Sequence, residues 1–180
     1  YIKKVKIKKG LKKLKWLDIS ENQISKVYGL IYTPLLEELN LSKNKIKDFN
    51  TFKNLLSLRN LELRNNQLKD IEVLKTLRFL KKADFQENNI HQLPKMTHLT
   101  NLSILNLNSN KIEDLSSIGN PPNLEALYLN FNEISDLSPI KMLTSLKTLE
   151  IQKNKIKDLY SLSNHPTLGD LNLMENKITD

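Results

Sequence analysis

Hydrophobic and polar positions follow one eleven-residue rule along this chain. In Leu36-Glu37-Glu38-Leu39-Asn40-Leu41-Ser42-Lys43-Asn44-Lys45-Ile46 the pattern is Leu-x-x-Leu-x-Leu-x-x-Asn-x-Ile. It occurs eight times, with its second apolar position at Leu17, Leu39, Leu61, Ala83, Leu105, Leu127, Leu149 and Leu171, always 22 residues apart. A fixed period of this size marks a repeat architecture. Within each unit the Leu-x-Leu alternation has a period of two, so Leu39 and Leu41 share one side of a short strand while Glu38, Asn40 and Ser42 take the other. One such strand cannot bury its apolar face alone; stacked on its copies it makes a parallel sheet over a continuous core.

The asparagine is the one polar residue inside the pattern, at Asn22, Asn44, Asn66, Asn88, Asn110, Asn132, Asn154 and Asn176. A side-chain amide offers two donors and an acceptor, enough to satisfy turn backbone in its own coil and in a neighbouring one. The sequence therefore predicts a buried asparagine ladder, because an unsatisfied buried polar group is costly.

Past the isoleucine, apolar residues recur at intervals of three, as in Phe49, Phe52 and Leu55 or Ile71, Leu74 and Leu77. That spacing predicts short 3₁₀ turns on the return side. Pro34, Pro121, Pro122, Pro139 and Pro166 there argue against long helices. An acid precedes the first of these positions in six units, at Asp48, Asp70, Asp114, Asp136, Asp158 and Asp180, and is expected to cap the turn. In the fourth unit Ala83 and Phe85 replace two leucines, a small residue beside a large one that conserves core volume. The fold expected is an α/β repeat: a right-handed solenoid of eight 22-residue units, with strands on the concave face and 3₁₀ or irregular segments on the convex face.

Residues 14–180 form the expected repeat domain. Residues 1–13 read as the basic tail of a degenerate preceding repeat, with Ile2 and Val5 in the register of Ile24 and Val27. The chain begins with Tyr1 and ends in mid-repeat at Asp180, so further repeats or caps are expected beyond both ends.

The residues of the unit identify a family. The chain resembles leucine-rich repeat proteins of the 22-residue class that includes regulatory subunit 7 of protein phosphatase 1, and Leu124-Glu125-Ala126-Leu127-Tyr128-Leu129-Asn130-Phe131-Asn132-Glu133-Ile134 fits that class closely. The stretch Ile134-Ser135-Asp136-Leu137-Ser138-Pro139-Ile140 is similar to internalin repeats as well. The resemblance implies a non-enzymatic scaffold that binds another protein through its concave face, with no cofactor. A structural or assembly subunit of a ciliary (axonemal) or phosphatase complex is the alternative. For location it implies the cytoplasm, cilium or nucleus, with an internalin-like secreted protein as the other option.

Charge adjusts this picture. The net charge is +8, but residues 1–15 hold eight lysines and no acid, and the 28 bases less these eight equal the 20 acids. The repeat body is therefore neutral. Its outward concave positions carry nine acids and four bases. Weak binding of nucleic acid or an acidic tail through the lysine-rich terminus and the edge lysines (Lys45, Lys47, Lys69, Lys111, Lys155, Lys157, Lys177) is a further alternative. It is ranked low, because aromatic residues do not interleave with the lysines. There is no cysteine and no run of 18 apolar residues, and His91, His98 and His165 fall in different positions of distant units, so neither a metal site nor a catalytic triad is expected. Acids on the concave face are expected to lack a pocket.

The candidate partner-binding residues lie in units five and six. Ile104, Ala126, Tyr128 and Phe131 take outward positions in neighbouring strands, with Asn106, Asn108 and Asn130 around them. An apolar and aromatic centre inside a polar rim is the usual composition of an interface hot spot.

Overall fold

The computed structural model describes residues 1–179. Eight three-residue strands lie in one parallel sheet: β2 (Trp16–Asp18), β4 (Glu38–Asn40), β5 (Asn60–Glu62), β6 (Lys82–Asp84), β7 (Ile104–Asn106), β8 (Ala126–Tyr128), β9 (Thr148–Glu150) and β10 (Asp170–Asn172). Each pairs with the next at a shift of 22 residues, for example Leu39 with Leu61 and Leu127 with Leu149. Two further strands, β1 (Lys4–Lys6) and β3 (Lys26–Tyr28), pair separately, with Val5 beside Val27. The chain is a solenoid of stacked 22-residue coils.

The apolar half of the pattern is the core. Leu39, Leu61, Leu105, Leu127 and Leu149 are at most 1% exposed, and Leu41, Leu63, Phe85, Leu107, Leu129 and Ile151 are fully buried. In the unit with Ala83 the next inward position holds Phe85, whose ring lies 6.0 Å from that of Phe49, which packs edge-on against Phe52 at 5.7 Å.

The return side carries five 3₁₀ helices among the described residues: Leu30–Tyr32, Asn50–Asn54, Glu72–Thr76, Ser138–Met142 and Tyr160–Leu162. The aspartates act one residue earlier than a cap. Phe49, Ile71, Leu137 and Leu159 hold the cap positions, while Asp48, Asp70, Asp136 and Asp158 accept the first helical N–H from Asn50, Glu72, Ser138 and Tyr160 at 2.8–3.2 Å. Asp114 accepts the Ser116 N–H at 2.7 Å in a turn without a helix. Asp180 lies outside the described residues. In the fourth unit Gln92 replaces the aspartate and Pro94 stands where Glu72 donates, so acceptor and donor of this bond are missing together, and that return has no 3₁₀ helix either.

Gly29 closes the end of the small β1–β3 sheet. Its φ is +79°, and a Cβ there would stand 2.0 Å from the carbonyl oxygen of Ile7. Only glycine permits that approach, which lets the Ile7 N–H donate to the Tyr28 carbonyl at 2.9 Å.

Candidate functional site: the concave face

The asparagines form the frame behind the face. Asn110 shows the repeating geometry: Nδ2 donates to the carbonyls of Leu107, Asn108 and Phe85, and Oδ1 accepts the Ile90 N–H at 3.0 Å. The same set recurs at Asn44, Asn66, Asn88, Asn132 and Asn154, all 7–9% exposed. Asn22 and Asn176 are half-buried, and Asn22 Oδ1 accepts the Ile2 N–H at 2.9 Å.

Immediately before each asparagine the chain turns through the left-handed region. Glu21, Lys43, Asn65, Glu87, Ser109, Phe131, Lys153 and Glu175 all have φ between 53° and 59°. The pattern of residue types gave no warning of this, since only one of the eight is Asn and none is Gly. Phe131 is the single aromatic among them. It is 46% exposed, and the Lys153 ammonium sits 5.1 Å from its ring centroid.

The structure brings Ile104, Ala126 and Tyr128 onto adjacent strands, with Ile104 beside Ala126 and Asn106 beside Tyr128. All four are half-buried. Asn106, Asn108 and Asn130 do not form a uniform rim. Asn106 Oδ1 accepts the Asn108 N–H at 3.1 Å, a turn shared with Asn40 and Asp84, which accept the N–H of Ser42 and Gln86 at 2.9 Å. Tyr128 and Glu150 cannot do this. Asn108 Oδ1 instead reaches across to the Asn130 N–H, and Asn130 Oδ1 to the Gln152 N–H, both at 2.7 Å. The acceptor oxygens of Asn108 and Asn130 are thus committed to main chain.

A trough runs along the face from Trp16 to Tyr128, contrary to the expectation that the acids lack a pocket. It has a volume of about 440 Å³, and its floor includes Leu39, Leu61 and Ala83, with Asp18, Glu38, Glu62, Lys82, Asp84 and Ile104 around them. Residues from six strands line this one concavity. Trp16, 61% exposed and five strands from Tyr128, lines the same trough.

The carboxylates differ by environment. Desolvation, then repulsion from Asp84, Asp18 and Glu38, pushes Glu62 above the ordinary range. Desolvation also raises Asp84, against the N–H bond from Gln86. Asp18 is lowered, chiefly because it accepts from Ser20 N–H and Oγ. On the edge, Lys155 pairs with Glu133 at 2.8 Å. Among the described residues no cluster of His, Asp or Glu could hold a metal ion, and no described helix is long and apolar enough to cross a membrane.

This architecture and its sequence pattern place the chain in the leucine-rich repeat family. The family profile for leucine-rich repeats in two copies matches residues 12–54, 34–76 and 122–164, and the single-repeat profile matches 98–115. Among solved structures the chain is similar to internalin C2 of Listeria monocytogenes, with 32% identity and a TM-score of 0.86 over 92% of this chain and 73% of that one. A leucine-rich repeat protein of Leptospira interrogans gives 30% identity and 0.86 over 94% of this chain and 45% of that one. Internalin inlF of Listeria monocytogenes gives 29% and 0.63 over 94% and 63%. No curated protein matches the sequence. Leucine-rich repeat folds generally serve protein–protein interaction, typically without enzymatic activity.

Proposed function

We propose that this chain is a non-enzymatic interaction module that takes a partner protein on its concave face, with the C-terminal end of the trough as the anchor point. One observation carries this. Ile104 pairs with Ala126 on the neighbouring strand, Tyr128 shares that strand and its outward side, and the exposed Phe131 follows three residues later, on a face whose other outward positions are mostly polar. A bulky ring with positive φ is disfavoured by its backbone, and its exposure adds no folding energy. A contact with a partner gives it a use.

The similarity to internalins supports the internalin-like location over the cytoplasm, cilium or nucleus. The three relatives described above lend no support to a phosphatase-complex or ciliary subunit.

The test is selection of binders from a random displayed peptide library, followed by mapping on variants. Tyr128→Ala or Phe131→Ala should each weaken binders by roughly 2 kcal/mol or more, the cost of removing a hot-spot aromatic. Lys155→Ala on the edge and Met142→Ala on the convex side should leave affinity unchanged. Binders that survive both aromatic changes would move the site elsewhere, with the lysine edge as the next candidate.

A further inference from the structure

The charge of the trough is not balanced by its own residues. Lys43 pairs with Glu21 at 2.6 Å and Arg64 with Glu87 at 2.8 Å, and Arg64 also lends Asp84 some stabilisation without pairing with it. Among the described residues, Asp18, Glu38, Glu62 and Asp84 form no ion pair with any lysine or arginine. Lys82 is the one base lining the trough against these four acids. Elsewhere the repeats pair charge between units readily, as in Lys147 with Glu125 and Lys155 with Glu133. Acids outside the trough, such as Asp48, Asp70 and Glu150, also form no ion pair among the described residues; the trough differs in gathering four acids around one base. It is also accompanied by an exposed indole, Trp16, whose face is free to meet a cation.

We infer that the trough between Trp16 and Tyr128 seats an extended segment of the partner protein that carries lysine or arginine side chains. This deepens the concave-face function proposed above and rests on it. Length agrees: six strands make five spacings of about 4.8 Å, roughly 24 Å in all, which an extended peptide covers in about seven residues. Cationic side chains on one face of that peptide meet Asp18, Glu38, Glu62 and Asp84 in turn. Trp16 stacks on one end of the segment and Tyr128 on the other. Desolvation lifts Glu62 first and repulsion from Asp84, Asp18 and Glu38 adds to it; a cation entering the trough offsets the repulsive part, so binding and ionisation of the carboxylates reinforce each other.

Trp16 is the only tryptophan, so its emission reports on the trough directly. The experiment titrates the protein with three nonapeptides in which serine alternates with arginine, glutamine or glutamate, read by Trp16 emission and by anisotropy of the labelled peptide. The arginine peptide should bind saturably and more weakly as salt rises. Glu62→Gln combined with Asp84→Asn should weaken it by about tenfold or more, while Glu133→Gln on the edge should not. The amide at position 84 keeps an acceptor for the Gln86 N–H, so the turn survives the change. Equal binding of the glutamine peptide, or no effect of the double variant, overturns the inference. So does equal affinity for spermine, which would make the site one for small polyamines. Self-association abolished by the double variant also overturns it, because the occupant would then be the lysine-rich terminus of a second copy. If the arginine peptide fails while library binders still depend on Tyr128, only this inference falls; if neither depends on the face, both fall.

Discussion

The side chain of Asn108 completes the backbone of Asn130: its Oδ1 accepts the Asn130 N–H at 2.7 Å from one unit away. Units with Asp or Asn at the last strand position supply that bond locally, as Asn106 does for Asn108. Tyr128 occupies the position in its own unit and cannot. The aromatic side chain on the concave face is thus compatible with a satisfied backbone because of an amide in the preceding unit.

The two residues should therefore be coupled. Asn108→Ala orphans the Asn130 N–H and should destabilise by about 1 kcal/mol, the usual net value of one hydrogen bond. Tyr128→Asn, which restores the local acceptor, should recover most of that loss in the double variant. Urea midpoints of the four proteins give the coupling energy. Strict additivity would mean that the cross-strand bond contributes nothing.

The ladder makes a second comparison possible within one unit. Asn110→Ala removes four bonds to buried main chain, and Asn106→Ala removes two at the solvent-facing side. The first should cost roughly 1–3 kcal/mol more than the second. Equal denaturant midpoints for the two variants would contradict the assignment.

Acidity gives the third test. Glu62 has a folded-state value above its ordinary 4.5, mainly through desolvation and then through Asp84, Asp18 and Glu38. Between those two values the native state holds more protons than the unfolded chain, so stability falls as pH rises through that window. Glu62→Gln should therefore be more stable than the parent at neutral pH, and the advantage should vanish once pH drops below 4.5. A glutamine variant that is less stable at neutral pH would show that the carboxylate is favourably placed after all. The gain at neutral pH also separates loss of peptide binding from loss of fold.

Much of the architecture was legible because it repeats. Eight asparagines at one register position can be explained by a backbone they satisfy, and alternation of Leu39 and Leu41 leaves one choice of inward face. The 3₁₀ returns followed from spacings of three. Other features had no counterpart in residue type. The positive φ of Glu21, Lys43 and Phe131 is imposed by the turn around the asparagine, which overrides their own preferences. Asn108 and Asn130 read as rim amides because an outward asparagine looks the same whether it faces solvent or a neighbouring N–H. The trough is lined by residues from six strands, so Trp16 and Tyr128 share one concavity although they lie far apart along the chain. The aspartates gave their role but not their place, one residue before the cap.

The ladder also has a direction. Asn110 gives its acceptor to Ile90 and one of its donors to Phe85, both in the preceding coil, and Asn132 does the same for Ile112 and Leu107. Each coil is thus completed by the one that follows it, from 20 residues further along. During synthesis from the N-terminus, a newly emerged coil holds unmet polar groups until its successor has been made and folded. In the finished protein, detaching the last coil strips partners from the one before it. Peeling under force should consequently advance coil by coil toward the N-terminus, each step loosening the next.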